Sequence, residues 1–122
     1  MNFDSIKDND STRSIEYEQT VLGAMLLNPN AVSEILETMK AEYFSEENHK
    51  KLFQIIVNKF TLGEKADAMT VLNDAVAEGI FATAADGKRY LLSIVEFVVN
   101  GIAKNVLLFI MMTFIIIFSL VR

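Results

Sequence analysis

A few residues of this 122-residue chain are of types that could carry chemistry, and each can be compared with the spacing that its chemistry needs. Gly87-Lys88-Arg89 is the run that comes nearest to a phosphate-binding loop. Such a loop needs a glycine five positions before the Gly-Lys pair and a Ser or Thr after it. Ala82 and Arg89 stand at those positions, so the run predicts a turn with two solvated basic residues.

The single histidine, His49, is the other candidate for acid–base chemistry. Glu46 lies three residues before it and could orient it on a helix, but no nucleophile is spaced to use it, which favours a structural histidine. Adjacent Glu46 and Glu47 diverge by about 100° on a helix and cannot share a substrate. Met111 and Met112 have no other soft ligand nearby and are expected to be apolar filler. The sequence therefore predicts no catalytic, cofactor-binding or metal-binding residues.

Composition excludes further classes of function. The chain has no Cys, which excludes a disulfide framework, a thiolate metal site and a cysteine nucleophile. A net charge of −5 without a basic run disfavours direct nucleic-acid binding by this chain alone. With 52% hydrophobic residues the chain is not intrinsically disordered, and its length fits one domain.

Charge is distributed unevenly along the chain. Residues 1–101 carry nine basic and all sixteen acidic residues, a net charge of −7, whereas residues 106–121 contain no charged residue. We therefore divide the chain into a flexible leader (1–13), a helical domain (14–100) and a hydrophobic tail helix (101–122). The leader lacks the basic and apolar segments of a secretion signal.

Local signals predict helices in the middle region. Ser14, Asn28-Pro29, Ser45 and Asp67 are typical helix starts, and Asp86-Gly87 predicts a turn before a fifth helix. Glu16 and Glu18 are expected in the first turn of the first helix, where the helix dipole favours negative charge. Gly63 and Gly79 are expected to end two of the helices, and Gly23 to allow close helix approach.

The apolar residues recur at helical spacing, which predicts an all-α fold: a compact bundle of about five short helices plus the C-terminal hydrophobic helix. A charge at Leu36 or Ile56 should unfold it. The expected core stripes are Ile15, Leu22, Met25 and Leu26; Val32, Ile35, Leu36 and Met39; Leu52, Ile55, Ile56 and Phe60; Val71, Leu72, Ala75 and Val76; Tyr90, Leu91, Ile94, Val95 and Val98.

Four segments in order resemble one family. Residues 14–27 (SIEYEQTVLGAMLL) are similar to the S-I-E-x-E-x-x-V-L-G-x-x-L-L opening of the N-terminal domain of DnaB-type replicative DNA helicases. Tyr43-Phe44 with His49 and residues 52–56 (LFQII) resemble its D-F-(Y/F)…H-x-x-I-F-x-x-I segment. Residues 63–71 resemble G-x-x-I/V-D-x-x-T-V, and residues 87–91 (GKRYL) resemble G-G-x-x-Y-L. The resemblance covers roughly residues 14–100.

The resemblance implies a helical domain of bacterial or phage DNA replication without catalysis of its own. In this family the domain forms a collar on the hexameric ring and helps to dock primase in the primosome. ATP and most DNA contacts belong to a following P-loop domain, which the sequence given does not contain. The implied partners are primase, helicase subunits or further copies in a homo-oligomer, in the cytoplasm. The C-terminal domain of bacterial primase shares a related helical fold, so a primase-like adaptor stays open.

The tail departs from the family pattern, which continues as a charged helical hairpin that pairs the domains. Three interpretations stay open: a membrane anchor through residues 106–121, a helix buried against a partner chain, or the product of a shifted reading frame. As a helix the 16 residues would be about 24 Å long, shorter than a bilayer core of about 30 Å. The leading hypothesis is a protein-interaction module; the alternative is a small tail-anchored membrane protein with a cytoplasmic helical head.

Overall fold

The computed structural model describes the backbone of residues 3–120 and the side chains of residues 14–101 and 110–120. Within this part all regular structure is helical, and no strand occurs, which confirms the all-α prediction. The elements in chain order are α1 (Phe3–Leu27), α2 (Pro29–Leu36), a short 3₁₀ turn (Ala41–Tyr43), α3 (Glu47–Thr61), α4 (Ala68–Ala77) and α5 (Ala84–Leu120).

Side-chain caps and glycines set several helix boundaries. The carboxamide of Asn28 accepts the backbone N–H two residues on (3.0 Å) at the start of α2, with Pro29 at the first helical position. Asp67 accepts the N–H three residues on (2.9 Å) at the start of α4. Gly63 and Gly79 follow α3 and α4 with φ of +72° and +75°, in the left-handed region that glycine adopts without strain. These four predictions are confirmed.

The core lies where α1, α3, α4 and α5 meet. Helix α5 packs against α1 and α4, α3 packs against the same two helices, and α2 packs against α1. Burying a large apolar side chain stabilises a fold by about 1.5–3 kcal/mol, so this cluster supplies the main driving force for folding. Its members are Val21, Leu22, Met25, Leu26, Val32, Met39, Phe44, Leu52, Phe53, Ile55, Ile56, Val71, Leu72, Ala75, Ile80, Leu91 and Ile94.

Two expected core residues lie nearer the surface. Leu36, the last residue of α2, is 36% exposed, and Phe60, near the end of α3, is 38% exposed. Both stand at the end of a helix, where the facing helices no longer cover them. The prediction that a charge at Leu36 unfolds the domain is therefore not supported, whereas Ile56 is fully buried, and a charge there is still expected to unfold it.

The first and third helices do not begin where the sequence suggested. Helix α1 begins at Phe3, so Ser14 lies inside it, and the predicted start at Ser14 is wrong. Helix α3 begins at Glu47, two residues after the predicted Ser45, because the Ser45 hydroxyl binds a carboxylate of α1. The predicted flexibility of residues 1–13 stays a prediction.

The predicted turn at Asp86-Gly87 is also wrong. Helix α5 begins at Ala84, and the hydroxyl of Thr83 accepts the N–H of Asp86 (3.1 Å) as its cap. The fifth helix and the tail form one helix of 37 residues rather than two. At 1.5 Å per residue, α5 is about 55 Å long.

Two glycines inside helices permit close packing. A Cβ on Gly23 of α1 would lie 2.5 Å from Val98 of α5, which confirms the predicted close approach. A Cβ on Gly87 of α5 would lie 2.6 Å from Phe81 and 2.7 Å from Leu72 of α4. The glycine at position 87 therefore serves helix packing and not a turn.

A buried lysine joins α3 to α4. Lys59 is only 9% exposed, and its ammonium lies 2.9 Å from a carboxylate oxygen of Asp74 and 3.6 Å from one of Glu64. The hydrogen bond to Asp74 raises the pKa of Lys59 above its ordinary value, even though burial opposes the charge. The ion pair holds the two helices together at the edge of the core.

Candidate functional site

A buried carboxylate on α1 caps α3. Glu18 is 1% exposed, and its two oxygens accept hydrogen bonds from the Ser45 N–H (2.8 Å), the Ser45 hydroxyl (2.6 Å) and the Glu46 N–H (3.2 Å). Ser14, one turn earlier on α1, donates a longer bond of 3.4 Å. The N–H groups at the start of a helix lack partners within it, so Glu18 supplies a cap that the local sequence of α3 does not.

His49 connects this carboxylate to α5. It is 2% exposed, its Nδ1 lies 3.5 Å from Glu18 Oε1, and its Nε2 is hydrogen-bonded to the hydroxyl of Tyr90. A proton on Nδ1 faces the carboxylate favourably, whereas a lone pair there would be repelled by it. On this geometry we place a proton on Nδ1.

The pKa shifts of Glu18 and Tyr90 favour the protonation state in which each group makes its hydrogen bonds. Burial raises the pKa of Glu18, but the hydrogen bonds from Ser45 and Glu46 and the nearby His49 outweigh it, and the net pKa is below its ordinary value. Burial raises the pKa of Tyr90. At neutral pH Glu18 is therefore an anion that accepts bonds, and Tyr90 keeps its proton and is a poor nucleophile. The arrangement ties α1, α3 and α5 together.

Beside the network lies an open cleft of about 540 Å³, which we call the α1–α3–α5 cleft. His49 and Tyr90 form part of its wall, and the carboxylates of Glu46 and Asp86 lie among its lining groups. Among the described residues that line it there is no Lys or Arg. The residues that line the cleft are Ile15, Gln19, Glu46, Asn48, His49, Phe81, Asp86 and Tyr90.

A second surface is the end of α5, which we call the apolar arm (residues 110–120). Every side chain in it is exposed, and the large apolar ones are 54% to 80% exposed. A helix that is apolar on all sides normally has other protein or lipid around it, and apolar patches of this kind mark interaction sites. The large apolar side chains are Ile110, Met111, Met112, Phe114, Ile115, Ile116, Ile117, Phe118 and Leu120.

The other residues singled out for chemistry lie at separate places on the surface. Lys88 and Arg89 are exposed on α5, on a helix rather than a phosphate loop. Glu47 forms an ion pair with Lys50 (3.7 Å) at the exposed start of α3. Among the residues that the structure describes, no group of His, Asp and Glu side chains is arranged to hold a metal ion.

The sequence reasoning missed Glu18 as the partner of His49. Glu46 was the expected partner, and Glu18 was placed in a first helical turn, but α1 starts well before it. A signal was present, because Glu18, Leu22 and Met25 follow the i, i+4, i+7 spacing of a single helix face. A carboxylate on a face that is otherwise buried needs a partner from elsewhere in the fold.

No helix in the described part of the chain combines the length and the apolar character needed to cross a lipid bilayer.

Three of the four motif segments meet in this network. Glu18 belongs to the first segment, His49 to the second and Tyr90 to the last, and they come from three helices that are distant along the chain. The third segment contributes the cap at Asp67. The segments thus share a structural role, since they join or start the helices of the bundle.

Comparison with known proteins gives a consistent result. A family model described as the DnaB-like helicase N-terminal domain matches residues 10–108. Two curated relatives are each named replicative DNA helicase DnaB. The one from Rhodothermus marinus is 35% identical over 74 residues, or 61% of this chain, and the one from Mycobacterium leprae is 32% identical over 79 residues, or 65% of it. These matches span only 8% and 13% of the relatives' own lengths.

A solved structure matches the fold as well as the sequence. The crystal structure of the N-terminal domain of DnaB helicase from Mycobacterium tuberculosis aligns with a TM-score of 0.63 at 30% identity. The alignment covers 68% of this chain and 57% of that one.

Proposed function

Because the chain belongs to the family of DnaB-like helicase N-terminal domains, we propose that it is a non-catalytic protein-interaction module of DNA replication. Its partners are replicative helicase subunits, including further copies of the same domain, and primase. The cytoplasmic location expected from the sequence accompanies this proposal as a prediction.

The observation that carries the proposal is the family match over residues 10–108, and the apolar arm beyond it adds an exposed surface for a protein partner. Nine large apolar side chains project from the arm, each more than half exposed. A monomer in water rarely keeps such a surface uncovered, so a protein partner has a clear energetic reason to cover it.

The buried network supports a binding role rather than an enzymatic one. Glu18 and His49 are nearly inaccessible, and their hydrogen bonds are spent on holding α1, α3 and α5 in place. Tyr90, which does reach the cleft, has a pKa raised by burial and stays protonated. These groups give the bundle a fixed shape, which a docking surface needs.

The experiment is to mix the purified chain with the replicative helicase and the primase of the same organism and to measure complex mass by light scattering after size exclusion. We expect association with at least one of them. The double variant Ile116→Lys/Phe118→Lys should abolish it, since both side chains are exposed on the arm.

The matched control is Tyr43→Lys, which adds a charge at a site on the bundle that is 58% exposed. It should leave association unchanged. Failure of the unmodified chain to bind either protein, together with no effect on helicase assembly, would contradict the proposed function.

A further inference from the structure

The α1–α3–α5 cleft is lined by carboxylates and amides, which are groups that suit a cation. Glu46 and Asp86 are exposed carboxylates at its wall, and Gln19 and Asn48 add two amides. Within the described residues neither carboxylate takes part in an ion pair. Both carboxylates are exposed and can be reached by a group that enters from outside.

Aromatic rings form another part of the same wall. The rings of Phe81 and Tyr90 lie 5.9 Å apart at an angle of 50°, and His49 stacks on Tyr90 at 6.0 Å and 23°. A flat guanidinium packs well on an aromatic face while its edge donates to carboxylates, a combination that a lysine ammonium matches less well. The wall thus offers both kinds of contact that arginine uses.

An anion is a poor fit, although the start of α3 lies nearby. Helix starts commonly bind anions through their free N–H groups, but here the carboxylates of Glu46 and Asp86 line the cleft, and the N–H of Glu46 is already bonded to Glu18. The nearby negative charge also affects Tyr90. Burial is the main cause of its raised pKa, and the charges of Glu46 and Glu18 raise the pKa further, whereas a hydrogen bond from Gln19 lowers it.

We propose that the α1–α3–α5 cleft binds an arginine side chain displayed by a protein partner. The guanidinium packs against Phe81 and Tyr90 and donates hydrogen bonds to Asp86 and Glu46. A volume of about 540 Å³ accommodates the side chain with part of its backbone. The proposal rests on the proposed function, which supplies the protein partner, and it adds the chemistry by which that partner is recognised.

The test is a titration of the isotope-labelled full chain with N-acetyl-arginine amide, followed by backbone amide NMR shifts. We expect saturable shifts at Asn48, His49 and Tyr90. Asp86→Asn and Glu46→Gln should each weaken binding about two- to fivefold, the range of an exposed ion pair. Glu34→Gln on α2, an exposed carboxylate far from the cleft along the chain, removes the same charge and should leave the affinity unchanged.

The neutral isostere N-acetyl-citrulline amide should produce no saturable shift. Equal binding of citrulline, equal affinity in the Asp86→Asn and Glu46→Gln variants, or the same shifts with potassium chloride at matched ionic strength would overturn the proposal. If the chain binds helicase or primase while arginine leaves the cleft amides unshifted, this site is wrong and the proposed function stands. If arginine binds the cleft and no protein partner associates, the proposed function fails instead.

Discussion

The two ends of α5 belong to one helix but have different surroundings. In the first half, Leu91 and Ile94 are 1% exposed because α1 and α4 cover them, while their neighbours Leu92 and Phe97 face outward. In the apolar arm, Ile116 and its neighbours are exposed on every side. Hydrophobic residues alone therefore do not decide burial; a facing element must be present to cover them.

The largest expected effect is the difference in stability between a charge placed in the first half of α5 and one placed in the arm. Ile94→Asp places a charge in the core and should destabilise the chain by about 4 kcal/mol or more, enough to unfold a small domain. Ile116→Asp, on the same helix but 57% exposed, should change the free energy of unfolding by less than about 0.5 kcal/mol. Chemical denaturation followed by circular dichroism measures both. Equal destabilisation would show that the arm is packed against something in solution.

A smaller effect is expected at the polar junction of the bundle. Glu18→Ala leaves the N–H groups of Ser45 and Glu46 without their acceptor and should cost about 3 kcal/mol. Glu34→Ala, an exposed carboxylate on α2, should cost less than about 0.5 kcal/mol. Denaturation midpoints compare the two. A Glu18 variant as stable as the Glu34 variant would mean that the network does not hold the helices together.

Replacing a glycine by alanine should lower the stability inside the bundle and raise it further along α5. Gly23→Ala drives a Cβ to within 2.5 Å of Val98 and should destabilise by about 1–3 kcal/mol. Gly101→Ala lies in α5 nine residues before the arm, and a Cβ there meets nothing within 4 Å, so it should stabilise by about 0.5–1 kcal/mol through helix propensity. Thermal melts of the two variants give the sign directly. The same sign at both positions would contradict the packing described between α1 and α5.

The smallest effect concerns pH. The pKa of Glu18 in the folded chain is below its ordinary value of 4.5, because its hydrogen bonds favour the anion despite burial. The unfolded chain thus binds more protons, so the stability that Glu18 contributes is complete above pH 4.5 and is lost as the pH falls through the folded pKa. The free energy of unfolding should drop less steeply below pH 4.5 in Glu18→Gln than in the unmodified chain. If the unfolding free energy falls with pH in parallel in the two chains, Glu18 does not contribute to the acid sensitivity. Asp67, whose pKa is also lowered, is present in both chains and does not account for a difference between them.

Much of the fold could be predicted from the sequence because its signals are local. The cap at Asp67 is bonded within three residues, and the glycine at position 63 follows its helix directly. The stripes of α3 and α4 repeat at helical spacing, and apart from Phe60 they lie in the core or pack against it as expected. Such features depend on neighbours that are visible in a short stretch of sequence.

The rest depends on contacts that join distant parts of the chain. Glu18 caps a helix 27 residues further on, and His49 reaches Tyr90 41 residues away. Gly87 is helical because its missing side chain makes room for Leu72 and Phe81, although Asp-Gly predicts a turn. The cleft consists of such contacts, which is why the sequence did not indicate it.

Helix α5 continues without a break from the bundle to the end of the apolar arm, so a movement at one end displaces the other. From Val98, which packs against Gly23, to residue 120 the helix extends about 33 Å at 1.5 Å per residue. A tilt of about 10° at the inner end would therefore carry the tip sideways by about 6 Å. Tyr90 lies beside the cleft, on the bundle side of residue 98. A force on the tip of α5 and a ligand in the cleft would therefore act on the same helix.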